Sequence, residues 1–265
     1  MERKIIWARR LDVVQAIKRV AQILDLFSLE KDELGVSEIS RETGLPKGTT
    51  HRILRSLTEE NFLEQGEDGN YRPGVMLFNL GKIVENNISI IKVASPVLKE
   101  LSKKHVCASH LAFLDGKDVV YIDKHVSNHF FEFASKIGMR VPAYATALGK
   151  IMLAYLDEEK VRKLFEGFHF QSFTPNTISN INSLLQELRI CRERGYAIDN
   201  EEICQGLKCY AVPVFNLYGE VEAGMSLSKP TSLVEEEEEE RIISSLVKGG
   251  QIVSNRMSGQ TTDDI

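Results

Sequence analysis

The chain has no uninterrupted apolar run near the roughly 20 residues that a spanning helix needs, and its opening, MERKIIWARR, carries charge but no apolar h-region. The expectation is a cytoplasmic protein with no membrane partner. It has no CxxC pair. Its four cysteines, Cys107, Cys191, Cys204 and Cys209, scattered over 265 residues, read as reduced thiols rather than a disulfide framework. It lacks internal repeats, and it lacks an excess of positive charge. A net charge of −5 excludes a protein that coats nucleic acid indiscriminately, so any DNA contact must come from a local basic surface.

What is there suffices for two domains, since 43% hydrophobic and 27% charged residues form an ordinary globular balance. Val13, Val14, Ile17, Val20, Ala21, Leu24 and Phe27 recur at three- and four-residue steps, which predicts one amphipathic helix from Leu11 to Leu29. Two shorter helices follow, split by Gly44-Leu45-Pro46, and then two short strands between Phe62 and Pro73 around the turn EDGN. A helical connector runs from Leu77 to about Ile91, and Ser95-Pro96 restarts a helix with proline in its first turn. Beyond Lys104 the runs ASHLAFL, DVVYIDK and FFEFA are β-branched and aromatic. Helices are expected near Ala145 to Tyr155, Glu158 to Glu166 and Ile181 to Gly195. Strands are expected near Lys208 to Asn216 and Glu220 to Ser228, and a last helix from Ser232, with Gly249-Gly250 weakening its middle. The run Glu235 to Glu240 reads as the solvated start of that helix. The fold class is α/β (α+β): a winged helix-turn-helix, then a mainly antiparallel sheet covered by helices.

The segment Val36 to Leu57 has helix-turn-helix spacing, with Ser37 as N-cap, Gly44 in the turn and Pro46 opening the second helix. Ile53, Leu54 and Leu57 form the buried side of that helix. Lys47, Thr49, Thr50, His51, Arg52 and Arg55 are left on its open side, with no acidic residue between Pro46 and Thr58. Such a face meets phosphates and base edges in a major groove. A solvated helix pair would look the same; the hairpin that follows favours the DNA reader. The hairpin tip, Glu64 to Asp68, is acidic, so Asn70, Tyr71 and Arg72 are its expected DNA-facing residues. Arg3, Lys4, Arg9 and Arg10 form a second basic cluster, either an arm onto DNA or a start of no consequence, and Trp7 is a candidate dimer contact.

The stretch LGVSEISRETGLPKGTTHRILRSLTEENFLEQ resembles the reader domain of the IclR family of transcriptional regulators. GMRVPAYATALGKIMLAY, GYAIDNEEICQGLKCYAVPVFN and GEVEAGMSLSKP resemble later parts of the same family, in order. The resemblance implies a winged helix-turn-helix reader over 1–76, a linker helix over 77–94, a GAF-like effector-binding domain over 95–257 and a tail over 258–265. It further implies operator DNA as partner, assembly as a homodimer or dimer of dimers, repression as the commoner outcome, and a small organic acid as effector.

The residues themselves suit either a polar cavity or a helix packed tightly against a sheet. Between Gly138 and Gly149 small side chains bracket a helix start, whose unpaired N–H groups suit an anion, and Ser226 and Ser228, two apart, share one side of a strand. In the family the matching effector positions are Ala147, Leu148, Asp199, Cys209, Ser226 and Ser228. Asp199 is expected to accept hydrogen bonds from ligand hydroxyls, which points to a hydroxylated or keto sugar acid. The cysteines with His105, His110, His125 and His129 match no zinc spacing, so no metal and no cofactor are expected. The rival reading is a thiol-dependent redox sensor or enzyme using Cys209 or Cys204. Nothing in the spacing gives either thiol an activating base, so the chain is read as not an enzyme.

Overall fold

The computed structural model describes residues 14–28, 31–87, 89–127 and 135–259, with only the backbone for 85–87. The basic arm with Arg3, Lys4, Arg9 and Arg10, together with Trp7, Val13, His129 and the run FFEFA, lies outside the described residues, as does the tail from 260 on. The chain divides into two compact units between positions 87 and 88.

In the first unit, α1 (Gln15–Leu24), α2 (Val36–Thr43) and α3 (Lys47–Glu59) are followed by the antiparallel hairpin β1 (Leu63–Gln65) and β2 (Tyr71–Pro73), then by α4 (Val75–Asn87). Helix α1 ends a turn before the expected Leu29. Leu26 and Phe27 donate their N–H groups to carbonyls three residues back, those of Ile23 and Leu24, so the chain tightens out of the helix there. The buried residue of α1 is Ile23, which the periodic pattern had passed over, whereas Val14 and Ile17 are exposed.

Helix α2 is capped by Gly35 rather than Ser37. Leu34 and Tyr71 exchange two backbone hydrogen bonds of 2.9 Å, which holds the chain extended up to Gly35 and sets the helix start two residues early. Ile23, Leu34, Ile39, Leu54, Leu57, Leu63 and Tyr71 close the small core.

The second unit begins with α5 (Ser89–His105) and continues β3 (Ala108–Asp115), β4 (Asp118–Val126), β5 (Arg140–Pro142), α6 (Ala147–Ala154), α7 (Glu158–Leu164) and α8 (Ile181–Arg194). It ends with β6 (Ala197–Asn200), β7 (Leu207–Phe215), β8 (Val221–Pro230) and α9 (Glu236–Met257). The six strands form one sheet in the order β5-β4-β3-β8-β7-β6, every neighbour antiparallel. Apolar residues on both faces form two cores: α5 and α9 pack on one face, and α6 and α8 with the turn Ala143–Ala145 on the other.

Ser95-Pro96 does not restart a helix, because α5 already runs from Ser89. Its buried stripe, Ile90, Ala94, Val97, Leu98 and Leu101, carries the helix past an exposed Pro96, and packing outweighs the one donor that proline removes. Helix α9 is likewise unbroken at its glycine pair. A Cβ on Gly249 would stand 2.9 Å from Leu101 Cδ1, and one on Gly250 2.8 Å from Val212 Cγ2. The pair therefore lets α9 lie close on α5 and on the sheet.

Candidate nucleic-acid interface and ligand cavity

In the first unit Lys47, His51, Arg52 and Arg55 are exposed along α3, with Thr49 half-buried beside them. Thr50 is a correction. It is 0% exposed, because the inward stripe of α3 runs Thr50, Leu54, Leu57. Its hydroxyl is turned back onto the Pro46 carbonyl at 3.3 Å and cannot meet DNA. Arg55 is held by Glu59 at 2.9 Å, an acidic residue just past the span in which none was found. On the hairpin Arg72 is exposed and pairs with Glu33 at 3.3 Å. Tyr71 is a second correction: its place in the core and its bridge to Leu34 take it off the surface.

In the second unit Ala147, Leu148, Asp199, Cys209, Ser226 and Ser228 all line one cavity of about 460 Å³. The sheet register gathers four of them. Asp199 pairs with Cys209 across β6 and β7, Cys209 with Ser228 across β7 and β8, and Ser226 faces His110 across β8 and β3. Ala147 and Leu148 supply the roof from the first turn of α6. Thr146 caps that helix by accepting the Gly149 N–H at 3.1 Å. The amides of Ala147 and Leu148 precede the first possible i−4 bond, and so lack a helical acceptor.

Sequence reasoning missed Tyr121, Ser135, Ile203, Gln205, Gly206, Leu207 and the role of His110, all of which line the same space as Thr146 of the small-residue helix start and Cys204. His110 Nε2 lies 2.8 Å from Ser135 Oγ and Nδ1 3.5 Å from Ser226 Oγ. Burial pushes this imidazole down to about 3, so it is neutral and offers one donor and one acceptor. Its signal is non-local: β3 must pair with a strand more than a hundred residues away before His110 and Ser226 meet.

Among the described residues no lysine or arginine lines the cavity. An anion here would be met by amide and hydroxyl dipoles rather than by a charge. Asp199 is 1% exposed and its Oδ1 accepts the Glu202 N–H at 2.7 Å. Burial raises its carboxyl to about 7, so near neutrality it both donates and accepts. Burial also holds the Cys209 thiol well above its ordinary range, the opposite of what an attacking thiolate requires. Among the described residues no three His, Cys, Asp or Glu converge as metal ligands.

The family model for the IclR helix-turn-helix domain matches residues 16–67, and that for the C-terminal domain of the bacterial transcriptional regulator IclR matches 83–255. The chain is 38% identical to the HTH-type transcriptional regulator XynR of Escherichia coli, over 93% of this chain and 98% of that one. It is 36% identical to the HTH-type transcriptional regulator KdgR of the same organism, over 93% and 94%. Among solved structures, an IclR transcriptional regulator from Alicyclobacillus acidocaldarius superposes with a TM-score of 0.81 at 28% identity, covering 93% of this chain and 99% of that one.

Proposed function

Because this chain belongs to the IclR family of bacterial transcriptional regulators, we propose that it is a cytoplasmic repressor whose hold on its operator is set by a small organic acid in the cavity of the second unit. It is a DNA-binding regulator and not an enzyme. In this reading 1–76 read DNA, 95–257 take the effector and 77–94 join them. The effector positions are Ala147, Leu148, Asp199, Cys209, Ser226 and Ser228, and the DNA positions are Lys47, Thr49, His51, Arg52, Arg55 and Arg72.

The observation that carries the reading is the cavity itself: a space of about 460 Å³, within the range of small-molecule sites, with helix-start amides at α6 and hydroxyls on the sheet. That lining suits a carboxylate bearing hydroxyl or keto oxygens, so a sugar acid fits better than a bare aliphatic acid. Asp199 meets a ligand hydroxyl, and burial, which raises its carboxyl to about 7, lessens the repulsion between two carboxylates.

The protein acts as a homodimer or a dimer of dimers. One reader covers too little DNA for operator affinity, and the described residues leave Val14 just before α1, Ile17 on α1, and Val75, Phe78, Ile83 and Val84 on α4 exposed. Effector binding favours one of two arrangements of the paired readers.

The test is release of operator DNA by a panel of sugar acids and keto acids, measured on wild type and on Ser226→Ala with Ser228→Ala. The double variant should bind DNA normally and need a higher effector concentration. An unchanged response would place the effector elsewhere.

A further inference from the structure

Lys150 stands one turn into α6, the helix whose first turn roofs the cavity, yet its side chain points away from solvent and is 1% exposed. Its ammonium donates to the Ile198 carbonyl at 2.6 Å and to Glu202 Oε1, with Glu187 Oε1 3.6 Å away. A buried ammonium is costly unless it is paired and hydrogen-bonded, so this arrangement holds α6 to the segment from Ile198 to Glu202. That segment leads directly into the cavity wall. Cys204, Gln205 and Gly206 are exposed and also line the cavity, so this stretch forms part of its rim.

The rest of the wall depends on Glu202. Its backbone N–H fixes Asp199 Oδ1 at 2.7 Å, and its carbonyl accepts from Thr177 Oγ1 at 2.6 Å. Glu201 just before it is held at φ 60, a left-handed conformation that side chains rarely adopt, and this is sustained only while the surroundings enforce it. Glu202 Oε2 is buried with no donor among the described residues, so the carboxylate is balanced through the oxygen on Lys150.

We propose that Lys150 and Glu202 are a positioning pair that latches the cavity wall and sets Asp199 in place within it. The latch decides how readily the cavity opens to ligand, and its use to the protein rests on the effector reading above. The chain carries its own reporters. Cys209 lies inside the cavity behind the wall, whereas Cys107 is buried in the core on the other face of the sheet.

The experiment is site-resolved iodoacetamide labelling of the full chain without ligand, with rates read by peptide mass spectrometry. It is run on wild type, Lys150→Met, Glu202→Ala and Glu202→Gln. Lys150→Met and Glu202→Ala should raise the Cys209 rate by about tenfold or more, because the first leaves the buried Glu202 carboxylate without its cation and the second leaves Lys150 only the longer contact to Glu187, while the Cys107 rate stays as in wild type. Glu202→Gln keeps an acceptor oxygen for Lys150 and should fall between. If Lys150→Met does not fold, the two Glu202 variants, which lie outside the cores, decide the matter. Cys209 and Cys107 rising together would make the pair a general stabiliser, and an unchanged Cys209 rate would leave the wall to Thr177 and to Thr174, whose hydroxyl donates to the Glu201 carbonyl at 2.6 Å. Either result overturns the latch. Since no ligand is used, a wrong effector assignment would leave this ratio unaffected.

Discussion

Gly224 on β8 lies directly under Leu148 on α6: a Cβ built on the glycine would stand 2.8 Å from Leu148 Cδ2. The absent side chain is what lets a leucine fit over the sheet at the edge of the cavity. Gly224→Ala should therefore push Leu148 toward the ligand space at a stability cost near the low end of the roughly 1–3 kcal/mol of overpacked cores, since the end of a flexible side chain can give way. Effector affinity should fall more than stability does. Adding Leu148→Ala should recover it, as read from the acid concentration that releases operator DNA. Equal responses from wild type and Gly224→Ala would mean that Leu148 does not border the ligand.

The DNA face allows a sharper contrast. Arg52→Ala, which removes an exposed cation from α3, should weaken operator binding and lower the salt slope by about one. Arg55→Ala should do less, because Arg55 gives up its bond to Glu59 when it engages a phosphate. Thr50→Ala should leave the salt slope alone and destabilise the reader by about 1 kcal/mol through the lost buried hydrogen bond. Titrations at several salt concentrations separate the three. A normal slope in both arginine variants would remove α3 from the groove.

Much of this was legible in the sequence, and what was not has a common cause. The turn at Gly44, the hairpin, strands β3, β4, β7 and β8 and the unbroken stripe of α8 follow from local periodicity and turn residues. Strands β5 and β6, three and four residues long at the two edges of the sheet, were not foreseen, because so short a run has no period to read. Thr50 and Tyr71 were placed outward on residue type alone. A threonine can satisfy its hydroxyl on its own helix, and a tyrosine between a charged tip and an arginine can still turn into a core. His110, Lys150 and Glu202 depend on partners 116, 52 and 52 residues away, which no local pattern reports.

Assembly gives a third prediction. Phe78 is 62% exposed on α4, among several apolar neighbours that are also exposed, so Phe78→Glu should shift the protein toward monomer and lose operator binding, with the effector cavity intact. Sedimentation velocity with and without operator DNA reads both. A wild-type monomer at about micromolar concentration that still binds one half-site tightly would defeat the dimer.

The last prediction turns on the sign of one titration. Asp199 sits near 7 because burial disfavours its charge, whereas in the unfolded chain it ionises in the ordinary carboxylate range near 4. Between those values the native state keeps a proton that the unfolded state has released, so stability falls as pH rises through this window, and the loss is complete above about 7. The full effect is on the order of 4 kcal/mol by the linkage relation, and Asp199→Asn should abolish it. Urea midpoints at about pH 5 and about pH 8 should therefore differ less in the variant than in wild type. The same proton bears on the ligand. An anionic effector is repelled once Asp199 ionises, so affinity should decline by up to about tenfold per unit above pH 7, and by much less in Asp199→Asn. If wild type and variant showed the same pH dependence in both measurements, Asp199 would not be the titrating group that faces the effector.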